Sequence, residues 1–265
     1  MAKISIIVLQ YNQSNSTLAC LESLANLKYP DFNVIVVDNA SEIEHLKNAE
    51  YWIGLRNREG ISNYKLLVSN ENLGYSGGNN IGIKYALERK TDHILILNND
   101  VVVETNFLDQ LLQSNADVVG VEERVVFGFQ HLSGVVLFVR RGVFEKIGFL
   151  DERYFLYYED VEFSVRARKA GLRLELVKAD FQHAVSASTS SLGSANLLYY
   201  HTRNALLLNK THGSWYVKLA LPFWKFWIKL KQHVKLIFDV NPEISKAILQ
   251  GVNDYDHHRF GMRIK

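Results

Sequence analysis

The stretch His93-Ile94-Leu95-Ile96-Leu97-Asn98-Asn99-Asp100 decides the fold. Its first five residues are almost continuously apolar, as expected of a strand covered on both faces, and three polar residues then stop it. The same form recurs upstream. Ile4–Leu9 runs into Gln10-Tyr11-Asn12, Val34–Val37 into Asp38-Asn39-Ala40-Ser41, and Tyr64–Val68 into the asparagine- and glycine-rich run from Asn70 to Asn80. Helical stretches lie between these strands. Ser14–Leu27 sets Leu18, Leu21, Leu24 and Leu27 on one stripe, and Gly82–Arg89 reads as the end of another helix. Strand and helix alternating in this order predict right-handed crossovers and a doubly wound α/β fold with a mostly parallel sheet.

The second half is less regular. Val118–Val126, Val135–Val139 and Leu172–Val177 are strand candidates; Val143–Ile147 and Glu159–Ala170 are helix candidates, the latter ended by Gly171. From Trp215 the composition turns to aromatics plus lysine, which places a boundary between a domain of residues 1–212 and a helical appendage of 213–265. With 48% hydrophobic and 22% charged residues the chain can bury a full core, and a net charge of +2 is too small to call for nucleic acid. Cys20 is the one cysteine, so no internal disulfide forms, which suits a reducing compartment. The apolar run after Met1-Ala2-Lys3 is shorter than a signal-peptide core. No run of ~18 uncharged apolar residues occurs, so no spanning helix is expected and the location is read as cytoplasmic.

In an open α/β sheet the ligand lies beyond the carboxyl ends of the strands. Any one of the four polar strand ends reads as ordinary turn chemistry of Asn, Asp and Gly. Four of them converging on one edge are harder to explain that way. Asp38, an acceptor only when ionised, suits the imide N–H of uracil or thymine. The segment Gly74–Gly82 permits close backbone approach and leads into a helix N-terminus, where anions are favoured. No Gly-Lys-Ser/Thr follows it and no GxGxxG follows the first strand, which argues against a Walker loop and a nicotinamide site. Asp100 is the leading ligand candidate for a hard divalent cation, Mg2+ or Mn2+, as nucleotide diphosphates require. His183, in Asp180-Phe181-Gln182-His183, is the second, although a lone histidine is more often structural than a ligand. Glu159, Asp160 and Glu162 follow an aromatic cluster at a predicted helix start. The helix dipole accounts for their charge, while partly apolar surroundings would raise a carboxylate toward the range of a general base.

Taken in order, VLQYN (8–12), VVDNAS (36–41), NENLGYSGGNN (70–80), LNND (97–100), SGVVLFVRR (133–141), FLDERYFLYYEDVEFSVRARKAG (149–171) and DFQH (180–183) closely resemble family 2 glycosyltransferases, above all the bacterial rhamnosyltransferase-like group. The resemblance implies a GT-A fold, a nucleotide-diphosphate-sugar donor and an inverting single displacement. It makes Asp38 the acid that reads the pyrimidine, Asp100 the last acid of a DxD-type metal motif, His183 its histidine partner and Asp160 the catalytic base, with Glu159 orienting the acceptor. Tyr11, Asn12, Asn39, Gly74, Gly77 and Asn79 match donor-pocket positions, Asn98 and Asn99 complete the donor side of the metal motif, and Arg203 with Asn204 matches a late motif near the diphosphate. Asn98 stands where many members have an Asp, and the segment from Asp100 to Gly134 is short. Residues 1–100 then form the nucleotide-sugar half and 101–212 the acceptor half. The implied reaction moves a sugar from a UDP- or dTDP-sugar, such as dTDP-rhamnose, to a saccharide hydroxyl in bacterial cell-surface polysaccharide synthesis. A nucleotidyltransferase would need a basic phosphate loop near the first strand, and VLQYNQSNS has no Lys or Arg. An inactive nucleotide-sugar-binding scaffold would lack Asp100 or Asp160, and both are present.

The tail from Trp215 to Phe238 supports two readings. Lys218, Lys225 and Lys229 share one helical face, Lys231 and Lys235 an adjoining one, and Pro222 should kink or split the helix. Aromatics with lysines suit a helix lying in a membrane interface, useful for a polyprenyl-diphosphate-linked acceptor at the cytoplasmic face of the inner membrane. The alternative packs the apolar side on the catalytic domain and leaves the lysines in water.

Overall fold

The computed structural model describes residues 1–59, 63–184 and 193–264. Strands β1 (Ile4–Gln10), β2 (Phe32–Asp38), β3 (Tyr64–Val68) and β4 (His93–Asn98) alternate with helices α1 (Ser14–Ala25), α2 (Ile43–Arg58) and α3 (Gly74–Glu88). The chain continues through β5 (Val101–Val103), α4 (Phe107–Leu111), β6 (Val118–Gly120), β7 (Glu123–Val126), β8 (Phe129–Leu132), β9 (Val136–Arg140), α5 (Arg141–Ile147), α6 (Glu159–Lys169), β10 (Leu174–Leu176) and β11 (Phe181–His183). Three long helices follow: α7 (Gly193–His212), α8 (Trp215–Ile237) and α9 (Pro242–Asp256). The main sheet has seven strands in the order β10-β6-β9-β4-β1-β2-β3, and only β9 runs against the rest.

The apolar runs are continuous because successive residues feed opposite layers. Ile6 and Val8 of β1, with Leu95 and Leu97 of β4, pack on Leu21 and Leu24 of α1. Ile7, Ile94 and Ile96 face the other way, onto Ile83 and Ala86 of α3 and Phe163 of α6. This sandwich fixes the edge on which β1, β2 and β4 end together.

Three local readings need correction. The glycine-rich run is not a loop before a helix, because α3 begins at Gly74 itself. Gly74 has φ +72°, and a Cβ there would overlap the Phe155 carbonyl; Gly82 lets α3 settle on β1, where a Cβ would lie 2.6 Å from Ile7 Cγ2. The expected strand Val118–Val126 divides at Val121-Glu122. β6 stays in the main sheet, while β7 leaves it to pair with β8 around the left-handed pair Phe127 (φ 49°) and Gly128 (φ 80°), a two-residue hairpin turn. Pro222 does not split the tail either, since α8 runs through it unbroken. At the C-terminal end α9 crosses α7 closely at Gly251, where a Cβ would sit 2.8 Å from the Tyr199 carbonyl.

Candidate active site

The ends of β1 and β2 are laced together. Asn12, in the left-handed region at φ 52°, accepts from the Glu42 N–H at 2.7 Å, and its own N–H donates to Ser41 Oγ at 3.0 Å. Asp38 is fully buried; one oxygen accepts from Gln10 Nε2 at 2.8 Å, the other from the Ser41 N–H at 3.0 Å. Tyr11 stands at this rim, 46% exposed. Asn39 is occupied within the protein. Its amide donates to Asn72 Oδ1 and the Gly74 carbonyl and accepts from the Leu73 N–H, all at 3.0 Å. The first N–H groups of α3 are likewise taken, Gly74 by Asn72 Oδ1 and Tyr75 by the Phe155 carbonyl. The helix N-terminus therefore holds the 150–155 segment instead of offering an anion cradle. Gly77 is buried inside the helix against Leu73. Asn79, also buried, donates to the Tyr75 carbonyl, and its Oδ1 accepts no hydrogen bond.

The cation candidates meet through strand pairing. β11 lies antiparallel to β5 with His183 opposite Val101, and the Ala184 N–H donates to the Asp100 carbonyl at 3.1 Å. His183 Nε2 thereby comes 3.4 Å from Asp100 Oδ1. That oxygen is buried and accepts no hydrogen bond, an arrangement disfavoured in water-free surroundings unless a cation or donor completes it. The carboxylate–imidazole pair thus fits a divalent ion. Among the described residues no third His, Cys, Asp or Glu joins them, so the remaining ligands would be substrate or water oxygens. Beside them Asn99 donates to Thr17 Oγ1 at 3.0 Å.

Tyr75, which the sequence did not mark, joins the two halves of the site. Its hydroxyl lies 2.7 Å from the Gly134 carbonyl and 3.1 Å from Asn98 Oδ1. Burial, then the charges of Glu159, Asp160 and Asp100, push its phenol well above the ordinary value, so it stays protonated. Asp160 is clamped by two backbone donors, the Gly134 N–H at 2.9 Å and the Val161 N–H at 2.8 Å. His131, a second residue missed in the sequence, brings Nε2 to within 3.9 Å of Asp160 Oδ2 from β8. Its only sequence signal was a histidine just before the SGVVLFVRR run.

Glu159 is buried beside it, with Oε2 accepting no hydrogen bond. Burial and then the Asp160 charge push its carboxyl well above the ordinary 4.5. The folded protein therefore holds this proton more tightly than the unfolded chain. Its contribution to stability is intact below the ordinary glutamate range and is lost as pH rises toward the folded value. Glu159→Gln is expected to raise the melting temperature at pH 7 by about 3 °C and to change nothing at pH 4. Melting curves at the two pH values check this, and an equal shift at both would contradict it.

Both carboxylates are aimed by an unusual turn. Tyr157 (φ 69°) and Tyr158 (φ 73°) are consecutive non-glycine residues in the left-handed region immediately before Glu159, each costing about 1–2 kcal/mol. Asn204 of α7 secures them by donating to the Leu156 carbonyl at 2.8 Å and the Tyr157 carbonyl at 2.9 Å. His201 stacks on Tyr157 at 4.8 Å and accepts or donates at 3.1 Å with the Tyr158 hydroxyl.

Arg203 does not lie open beside a diphosphate. It is fully buried, with its guanidinium 5.1 Å from the Tyr199 ring centre, 5.2 Å from Tyr200 and 5.7 Å from Phe260. It donates to the Tyr199 hydroxyl at 3.0 Å and the Gly261 carbonyl at 2.8 Å. Here it is a strut between α7 and the C-terminal residues.

Comparison with known proteins agrees with this architecture. Relatives include the low-salt glycan biosynthesis hexosyltransferase Agl10 of Haloferax volcanii, 24% identical over 78% of this chain and 76% of that protein. The dTDP-rhamnosyl transferase RfbF of Shigella flexneri is 24% identical over 80% of this chain and 81% of its own. An N-acetylglucosaminyl-diphospho-decaprenol L-rhamnosyltransferase of Mycobacterium tuberculosis matches more locally, 37% identical over 32% of this chain and 28% of that one. Among solved structures, the mannosyltransferase PcManGT of Pyrobaculum calidifontis, in complex with GDP-Man and Mn2+, superposes with a TM-score of 0.62 at 13% identity, covering 97% of this chain and 88% of that chain. S. aureus TarS 1-349 with UDP-GlcNAc gives 0.57 at 18% identity, covering 97% and 92%. These likenesses show the GT-A fold. Residues 5–148 match Glycosyl transferase family 2, and the chain belongs to that family.

Proposed function

We propose that this protein is an inverting, metal-dependent glycosyltransferase that moves a sugar from a UDP- or dTDP-sugar, dTDP-rhamnose being the leading case, to a saccharide hydroxyl in cell-surface polysaccharide synthesis. The supporting observation is that Tyr75 bridges Asn98, at the end of β4 two residues before Asp100, and Gly134, whose N–H holds Asp160, with His183 3.4 Å from Asp100. Residues 1–100 hold the donor, 101–212 hold the acceptor, and 213–265 form the appendage. The names of two relatives, a dTDP-rhamnosyl transferase and a rhamnosyltransferase of a diphospho-decaprenol-linked sugar, favour a deoxyhexose donor. They also favour a polyprenyl-diphosphate-linked acceptor, met at the cytoplasmic face of the inner membrane.

Asp38 keeps a spare lone pair on each oxygen for the base imide, and the exposed Tyr11 ring offers a stacking surface beside it. Asp100 and His183 would hold Mg2+ or Mn2+, and the ion would supply Lewis-acid neutralisation of the departing diphosphate. Glu159, whose protonated form burial and the Asp160 charge favour, orients the acceptor. Asp160 takes the proton of the acceptor hydroxyl while that oxygen bonds to the anomeric carbon, and the carbon–oxygen bond to the diphosphate breaks on the opposite face. One displacement inverts the centre. The Gly134 and Val161 N–H groups keep the Asp160 carboxylate aimed during that transfer.

Thermal shift with UDP, dTDP and GDP, with and without Mn2+, tests the donor and the metal together. UDP and dTDP are expected to stabilise the protein only with the ion, and His183→Ala to weaken that dependence at least about tenfold. Equal stabilisation by GDP would overturn the pyrimidine assignment, and full stabilisation in excess chelator would overturn the metal.

A further inference from the structure

Helix α8 is amphipathic in the reverse of the usual sense. Its inner line, Leu221, Ile228 and Gln232, packs on α7 and α9, and two of its lysines turn inward as well. Lys225 and Lys229 both pair with Asp256 of α9, the second at 2.9 Å. At 3.6 residues per turn, Leu219, Phe223, Phe226, Leu230, Val234 and Ile237 share an outward arc of about 80°. All six are 40–78% exposed, and no charged side chain interrupts the arc. A surface helix normally turns its polar side to water. Here the unpartnered lysines, Lys218 on one flank and Lys231 and Lys235 on the other, border an apolar strip.

We infer that α8 lies in the interface of an anionic lipid bilayer, with the strip from Leu219 to Ile237 sunk among the acyl chains and Lys218, Lys231 and Lys235 at the phosphates. Charge selects this occupant over a second copy of the chain. No Asp or Glu occurs between Trp215 and Phe238, so two α8 faces would set lysine rows against each other, whereas anionic headgroups answer both flanks. Among the described residues no helix is long and apolar enough to cross a membrane, so the helix lies along the surface.

The position of this face gives it a purpose. Trp224 meets Phe127 of the β7–β8 turn edge-on at 5.9 Å, and Phe127 stacks on Tyr158 at 6.2 Å, next to Glu159. Three stacked or edge-on rings, Trp224, Phe127 and Tyr158, therefore connect α8 to the start of α6, where the catalytic carboxylates stand. That delivery role rests on the lipid-linked acceptor proposed above, while the binding rests on α8 alone.

The test is flotation of the full chain with phosphatidylcholine vesicles and with vesicles containing phosphatidylglycerol, at low and high salt. The native chain is expected to float with the anionic vesicles. The triple variant Phe223→Ser, Phe226→Ser, Leu230→Ser should bind them at least about tenfold more weakly. Lys218→Gln with Lys231→Gln and Lys235→Gln should remove the salt-sensitive part. The serine variant's thermal shift with UDP and Mn2+ should match that of the native chain, which excludes misfolding. If vesicles bind but UDP shifts neither protein, the proposed function fails and this inference stands. A native chain that never floats, or a serine variant that floats equally well, overturns it. So does a concentration-dependent dimer in light scattering that the serine variant abolishes while vesicles bind neither.

Discussion

Asp160→Asn is expected to lower sugar transfer by about 10²–10⁴-fold, the usual size of general-base removal, while nucleotide affinity changes by no more than about twofold. The separation follows from the surroundings of the carboxylate. Its two oxygens accept from Gly134 and Val161, and neither contact involves the ends of β1 or β2, the proposed nucleotide site. An asparagine has the same shape but only one acceptor oxygen, so one of the two N–H groups loses its partner, a local loss of about 1 kcal/mol. The larger loss is chemical, because a carboxamide cannot take the acceptor proton. Initial rates at saturating donor and acceptor, with UDP thermal shift in parallel, make the measurement. Full turnover in the variant would remove Asp160 from the role of base.

Arg203→Ala should destabilise the fold by about 3–5 kcal/mol and lower the melting temperature by about 10 °C. The guanidinium is fully buried, and among the described residues it has no carboxylate within ion-pair distance. Its charge is spread over three aromatic faces, two backbone carbonyls and the Tyr199 hydroxyl, which itself donates to Asp254 at 2.8 Å. Truncation leaves a cavity, strands the Gly261 carbonyl and takes a cation from a network containing a buried carboxylate. Arg203→Lys keeps the charge but not the planar fork, and should recover less than half of the loss. Calorimetry reads this directly. A variant that kept its melting point and lost UDP affinity would instead make Arg203 a diphosphate ligand.

These two residues show what the sequence could and could not reveal. β1, β2 and β4 were legible because strands buried on both faces are written as unbroken apolar runs, and their polar ends stand out against them. Asp100 and His183 could be named from their residue types, but their meeting depends on the β5–β11 pairing, and three-residue strands leave too short a pattern to read. Tyr75 and His131 stood beside recognised motifs but were not marked, since a lone tyrosine after a glycine or a lone histidine in an apolar stretch resembles packing. Gly77 and Asn39 were read as facing a ligand, but glycine and asparagine serve equally where a protein approaches its own backbone. Arg203 was read as near a diphosphate because a cation suggests an anion; its surroundings, three aromatic rings and carbonyls from the C-terminal residues, come from parts of the chain whose approach no local pattern records. For α8 the periodicity was visible, yet a helical stripe carries no mark of which side faces the core. That was settled by Asp256, remote in sequence, which draws Lys225 and Lys229 inward.

The β5–β11 pairing works as a clasp. Three residue pairs join Val101–Val103 to Phe181–His183, and the clasp closes the chain between them, residues 104–180, into one loop. Closing a flexible loop becomes harder only slowly with length, by about 0.6 kcal/mol for each doubling, so that loop can gain or lose surface insertions at little thermodynamic penalty. A slip of a single residue within the clasp is different, because it would turn His183 to the opposite face of the ribbon and part it from Asp100. The segment between the two strands is thus free to diverge by insertion, while the meeting of Asp100 and His183 tolerates no change of phase.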